Sequence, residues 1–255
     1  MTWILRVYRF YRHYVSKADT TSLAYFLILS LVPALTLLMF FSHLIHMDFT
    51  PIHDAIQLVF NESIASYVSS VLLARDISAY SLITLGICLY VCSKGIYYSS
   101  KTVNRMFGFP QEKIVYARLN SLVDTILLLL MILGFMVCVT ILPLIFRYFH
   151  LDPVWRLLQY FGEFSFLFLI MVVNHRLLLR QKLKFREIYK GSLVTSVLFI
   201  LIILGFSIYL RFANYTSIYG PFASLAILFL IFDFFAQAIF LGFAINALER
   251  QNYVE

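Results

Sequence analysis

Long uninterrupted apolar runs dominate the chain, separated by short polar and basic stretches. A helix needs about 20 mostly apolar residues to cross a bilayer. Six runs meet that length: Ser22 to Leu44, Tyr80 to Ser99, Leu119 to Phe146, Trp155 to Leu178, Tyr189 to Phe212 and Ile218 to Leu248. Two further segments alternate apolar and polar residues at helical spacing without being apolar all round. In residues 1–20, Trp3, Ile4, Val7, Phe10, Tyr11, Tyr14 and Val15 recur every three or four positions, with Arg6, Arg9, Arg12, His13 and Lys17 mostly opposite. That pattern predicts a basic helix lying on the membrane surface. In residues 48–76, Thr50-Pro51 reads as a helix start. Ile52, Ile56, Val59, Phe60, Ile64, Tyr67, Val68, Val71 and Leu72 then mark an apolar stripe opposite Asp54, Gln57, Asn61 and Glu62. This predicts an amphipathic helical segment, either a lid on the outer face or a gate. The expected fold is therefore all-α, a single membrane domain of six spans with an interfacial helix in front.

Composition narrows the class. Hydrophobic residues make up 62% of the chain and charged residues 13%. Soluble domains are about half apolar and a quarter charged. A net charge of +7 would in a soluble protein raise the question of nucleic acid, but no binding motif accompanies it, and no nucleic-acid partner is expected. The charge sorts by loop instead. Fifteen Lys and Arg fall in the N-terminal segment, the second and fourth connections and the C-terminal tail, against four on the other side, with Lys94 inside the second span. The excess of cations marks the cytoplasmic side, which puts both termini inside. Cys88, Cys92 and Cys138 all lie in apolar runs and read as small packing residues. Neither a disulfide framework, a metal nor a cofactor is expected. No cleavable signal peptide is evident, so the first span should remain as an anchor.

Ionisable residues within spans are costly and are the default functional candidates. Lys94, late in the second span, and Asp124, early in the third, share the inner leaflet and are expected to form a structural ion pair. Glu163, Asp233, Gln237 one turn beyond it, and Asn246 form a polar path through the fourth and sixth spans. Two outcomes suit that pattern: a polar cavity for substrate or protons, or interhelical hydrogen bonds in a tight bundle. Asn174-His175-Arg176 is expected at the inner surface as an interfacial helix end, with a histidine that could titrate near neutrality. Arg180, Lys182, Lys184 and Arg186 form a basic strip, explained by topology or by anionic lipid headgroups. Neither a nucleophile with its base nor a metal cluster is apparent, so no enzyme is expected.

Several motifs occur in a consistent order: Leu23-Ala24-Tyr25-Phe26 with Ser30-Leu31-Val32-Pro33, Tyr90-Val91-Cys92-Ser93-Lys94-Gly95 with Asn104-Arg105, then Gly191, Tyr209 and Tyr219-Gly220. Gly242, Asn246-Ala247-Leu248 and Glu249 close the series. Together they resemble the YihY/BrkB family of bacterial inner-membrane proteins over nearly the whole chain. The resemblance implies six helices and a bacterial plasma membrane, without supplying an activity. The ribonuclease label attached to the family finds no supporting His and Asp cluster here. The chain departs from the pattern at Ala244, where the family carries an acidic residue. It lacks the proline after the fourth span, and Asp233 interrupts the aromatic cluster of the last helix. The leading expectation is a transporter-like protein handling a lipid or another amphiphile. The alternative is a structural or assembly partner of an envelope complex, with a second copy or an envelope protein as partner.

Overall fold

The structure is a computed structural model that describes residues 3–45, 79–110, 113–148, 154–179, 181, 183–212 and 220–254. Among these it contains seven helices and no strand: α1 Trp3–Tyr14, α2 Lys17–Ile45, α3 Ala79–Met106, α4 Ile114–Tyr148, α5 Val154–Leu179, α6 Phe185–Phe212 and α7 Gly220–Val254. Five of the six apolar runs fall within α2 to α6, the sixth falls within α7 from Gly220 onward, its first two residues lying outside the described ones, and most helices extend past the run at the basic end. Four helices contain stretches long and apolar enough to cross a membrane: Ile114–Phe135, Tyr160–Leu179, Phe185–Tyr209 and Ala226–Gln251. The amphipathic segment expected at 48–76 lies outside the described residues, as do Arg180 and Lys182 of the basic strip.

Local chemistry sets the helix ends. Ser16 and Asp19 cap α2 reciprocally: the Asp19 amide donates to the Ser16 hydroxyl at 3.2 Å, and the Ser16 amide donates to Asp19 Oδ2 at 2.9 Å. At the start of α6, Glu187 Oε2 accepts the Lys184 amide at 2.7 Å. After α3 the chain turns through Gly108, whose φ of 68° suits a residue without Cβ. The Phe109 amide returns there to the Asn104 carbonyl at 2.9 Å, satisfying an acceptor at the helix end. Pro221 occupies the first turn of α7, where its missing N–H costs nothing. Pro33 is buried within α2.

α7 is the central element and packs against α6, α2 and α1, while α3 packs against α2, α4 and α5. The buried cluster gathers at the basic end, with Val103, Met106, Leu179, Ile188, Phe240 and Phe243 each almost fully enclosed. Outward-facing positions are apolar instead: Ile87, Val123, Leu201, Leu204, Ile208 and Leu230 are exposed. In water such a surface would drive association; in acyl chains it is matched. α1 does more than rest on the surface. Its Val7 is buried against Ile245 and Leu248, and Phe10, Tyr11 and Tyr14 pack on the main core. Trp3, Ile4 and Tyr8 remain exposed.

Candidate functional site

The tightest contact lies between α6 and α7. Gly191 and Gly242 face each other so closely that a Cβ on Gly242 would meet the Thr195 hydroxyl, the Gly191 carbonyl and His175 Nε2. Because bilayer helices gain no hydrophobic energy by associating, such seams rely on small residues and on polar bonds across the gap. Asn246 supplies those bonds. Its Oδ1 accepts the Gly191 amide at 2.7 Å and its Nδ2 donates to the Ile188 carbonyl at 3.0 Å. Thr195 donates to Gly191 O at 2.8 Å and lies 3.3 Å from Ala238 O. Asn246, foreseen as part of a substrate or proton path, thus serves here as a fully buried clamp between helices.

His175 belongs to the same knot. It was expected at the inner interface but is completely buried, with Nδ1 2.7 Å from the Met171 carbonyl and its ring 4.1 Å from that of Phe243. Counting residues along α5 placed it at a helix end, but α6 and α7 continue past that level and enclose it. Beyond the knot, Lys190 pairs with Glu249 at 2.7 Å and Arg250 approaches Glu187 at 3.8 Å. Arg250 also stands 4.5 Å above the Phe109 ring.

A second polar centre joins α7 to the N-terminal helix. Gln237 donates to Asp233 Oδ2 at 2.7 Å, as the one-turn spacing anticipates. Asp233 Oδ1 is buried and has no hydrogen-bond partner. The charges of Asp233 and Asp19 both fall on the Tyr11 phenol, which burial first, and these two carboxylates next, push up to about 12. Tyr11 therefore stays a neutral hydroxyl at physiological pH. Leu230 and Phe234 of α7 join Ile202, Gly205, Phe206 and Tyr209 of α6 around an open apolar groove of about 460 Å³.

The third centre lies where α2 begins and α3 ends. Thr102 donates to Asp19 Oδ1 at 3.0 Å, and Arg105 donates to Thr102 at 3.2 Å. Burial alone would push the Asp19 carboxyl up. Hydrogen bonds from the Ser16 hydroxyl and amide and from Thr102, with the charge of Arg105, outweigh it and hold the group below the usual carboxylate value. Next to Asp19 is a partly enclosed cavity of about 110 Å³, lined by Ser22, Phe26, Gly95, Tyr98, Ser99 and Phe240 among others. A Cβ on Gly95 would collide with the Phe26 side chain.

A family model described as Virulence factor BrkB matches residues 9–255. The chain belongs to the BrkB virulence factor family. No curated protein and no solved structure matches it. In this BrkB-family chain the motif residues have identifiable structural tasks: Gly191, Gly242 and Asn246 make the α6–α7 seam, and Gly95 makes room for Phe26 of the Leu23-Ala24-Tyr25-Phe26 motif. Asn104 donates to the Ser100 hydroxyl at 3.2 Å, and Ser100 donates to Leu178 O at 2.5 Å, binding α3 to α5.

The remaining sequence candidates are dispersed. Glu163 is half-buried on α5. Lys184 and Arg186 are exposed at the start of α6. Asp124 is buried on α4, and the Lys94 ammonium lies 4.9 Å over the Tyr90 ring of its own helix, α3. No three His, Cys, Asp or Glu side chains converge to hold a metal among the described residues. Two site residues escaped the sequence, Asp19 and Tyr11. Ser16-x-x-Asp19 is legible as a cap, but only tertiary packing brings Thr102 and the cavity to it. Tyr11 reads as one more interfacial aromatic until α1 is docked on α7.

Proposed function

We propose that this BrkB-family membrane protein is transporter-like and handles a lipid or another amphiphile at the bilayer, with Asp233 and Gln237 as the polar contact. The observation that carries this is the Asp233 carboxylate. It stands in a mostly apolar stretch of α7, about 20 Å from the start of the helix at 1.5 Å per residue, with one oxygen held by Gln237 and the other buried without a partner. Leu230 and Phe234, close to Asp233 along α7, line an open apolar groove between α7 and α6. A carboxylate is expensive at such a place and is retained where it has work to do. The test is reconstitution into vesicles with fluorescent lipid in one leaflet. Transbilayer movement should be faster than in protein-free vesicles. Equal rates would favour the alternative, a structural or assembly partner of an envelope complex.

The accompanying topology is six spans, α2 to α7, with both termini and the basic connections in the cytoplasm of a bacterium. It is supported by helices of 26 to 35 residues in these positions and by the loop cations. Single cysteines at Lys113 and Lys184 should be protected from an impermeant thiol reagent in intact cells, whereas one at Asp152 should label. Labelling at either lysine position would overturn the orientation.

Lys94 and Asp124 are proposed as an inner-leaflet pair linking α3 and α4, which are neighbours in the bundle. Each alanine variant should lower thermal stability in detergent by about 1 kcal/mol or more, and the charge-swapped double variant should recover part of the loss. Strict additivity would show that the two residues do not interact.

A further inference from the structure

We infer that the cavity between the start of α2, the end of α3 and Phe240 of α7 is a binding site for a compact ammonium group. Its lining selects that chemistry. Among the described residues that line it, Asp19 alone carries a formal charge, and Ser22, Ser99 and Tyr98 contribute neutral hydroxyls. Phe26, Tyr98 and Phe240 contribute aromatic surface. A carboxylate together with aromatic faces is the combination that attracts organic cations, through charge on one side and ring quadrupoles on the others.

Other occupants fit less well. An anion would meet the Asp19 carboxylate. A bare metal ion would find one carboxylate and a few hydroxyls in a space of about 110 Å³, several times the roughly 30 Å³ share of one water, and with much of its wall aromatic. That space suits an ammonium with a short carbon stem. Asp19 is also held in place for the task. The Ser16 hydroxyl and amide hold Oδ2 at 2.7 and 2.9 Å and Thr102 holds Oδ1 at 3.0 Å, leaving one acceptor position, on Oδ1, of a carboxylate whose orientation is set before any ligand arrives. Arg105 donates to Thr102 and its charge reaches Asp19, but it and Lys101 are exposed and neither is among the lining residues.

Such an ammonium could be the amine end of a lipid headgroup or a free soluble amine. The cavity sits beside the first turns of α2, at the level where headgroups meet acyl chains in the proposed topology. The inference rests on the lipid-handling proposal only for what carries the amine.

The test uses purified full-length protein in nanodiscs made solely of phosphatidylglycerol, so that no amine lipid is present at the start. Thermal unfolding is followed while ethanolamine, short-chain phosphatidylethanolamine, N-acetylethanolamine or short-chain phosphatidylglycerol is added. At least one amine ligand should bind about tenfold more tightly than its uncharged or anionic counterpart, which corresponds to about 1.4 kcal/mol. Asp19→Asn should remove that preference while keeping an acceptor for the Ser16 amide. Ser22→Leu, at an exposed rim position, should do the same by filling the cavity. Binding of free ethanolamine identifies a soluble amine as sufficient; binding of the short-chain lipid alone identifies the headgroup. No preference for amines in the unaltered protein, or a preference unchanged in both variants, would overturn the inference. Vesicles without lipid movement but with amine binding intact would sink the transport proposal and leave this site standing.

Discussion

The Gly242→Val protein should fail to accumulate as a monodisperse species in detergent, and Gly242→Ala should be clearly destabilised. At this position even a methyl group meets the Thr195 hydroxyl, the carbonyl of Gly191 and His175 Nε2. The Gly191 carbonyl is helix backbone and cannot swing aside as the end of a flexible side chain could. α6 and α7 must then separate, and separation lengthens both Asn246 bonds across the seam. Overpacking a tight contact costs about 1–3 kcal/mol, and each buried polar group stripped of its partner adds about 1–3 kcal/mol. Against a total stability of roughly 5–15 kcal/mol, valine should exceed what the bundle tolerates. Gly86→Ala and Gly205→Ala are the matched controls, because a Cβ at either position finds open space. Both should melt at or above the wild-type temperature, since alanine is the better helix former by about 1 kcal/mol in a helix interior. Thermal unfolding monitored by size-exclusion chromatography separates the outcomes. A Gly242→Val protein that melts with the wild type would show that the seam is not close-packed.

Much of the helical architecture was legible because its cause is local. Six apolar runs of spanning length became parts of six long helices, and the period of 3.6 in residues 3–14 became α1. The helix ends were less legible. α3 runs to Met106, well beyond its apolar run, and there Ser100 donates to Leu178 O of α5 while Asn104, one turn on in the same helix, donates to Ser100; α4 begins at Ile114, ahead of its apolar run. The candidate site was readable only in part. Asp233 and Gln237 could be paired from their spacing, and they do bond. Asn246 stands out in the sequence as a polar residue in an apolar run, but the bond it makes reaches a glycine 55 positions away. The burial of His175 follows from the reach of two other helices, information that its own segment does not hold. The docking of Tyr11 against a span more than 200 residues later in the chain is non-local in the same way.

Asp233→Asn should leave the fold intact and abolish the proposed lipid movement in vesicles. Asparagine preserves the shape of the side chain, and its Oδ1 can still accept the Gln237 amide that now lies 2.7 Å from Asp233 Oδ2. Thermal stability in detergent should therefore stay within about 1 kcal/mol of wild type, the worth of one ordinary hydrogen bond. What the substitution removes is the negative charge at a carboxyl group one of whose oxygens has no partner. It also removes one of the two charges acting on Tyr11, so the phenol should titrate at lower pH than the value of about 12 in the wild type. Following phenolate absorbance with Tyr11→Phe as the blank checks that coupling separately from transport. Gln237→Leu is the complementary change: it leaves the carboxylate without its donor and should cost stability as well as activity. If Asp233 only ties α7 together by a hydrogen bond, Asp233→Asn will move labelled lipid as fast as the wild type. In that event the Asp233–Gln237 bond is structural, like the Asn246 clamp further along the same helix, and the amphiphile path must be sought elsewhere in the bundle.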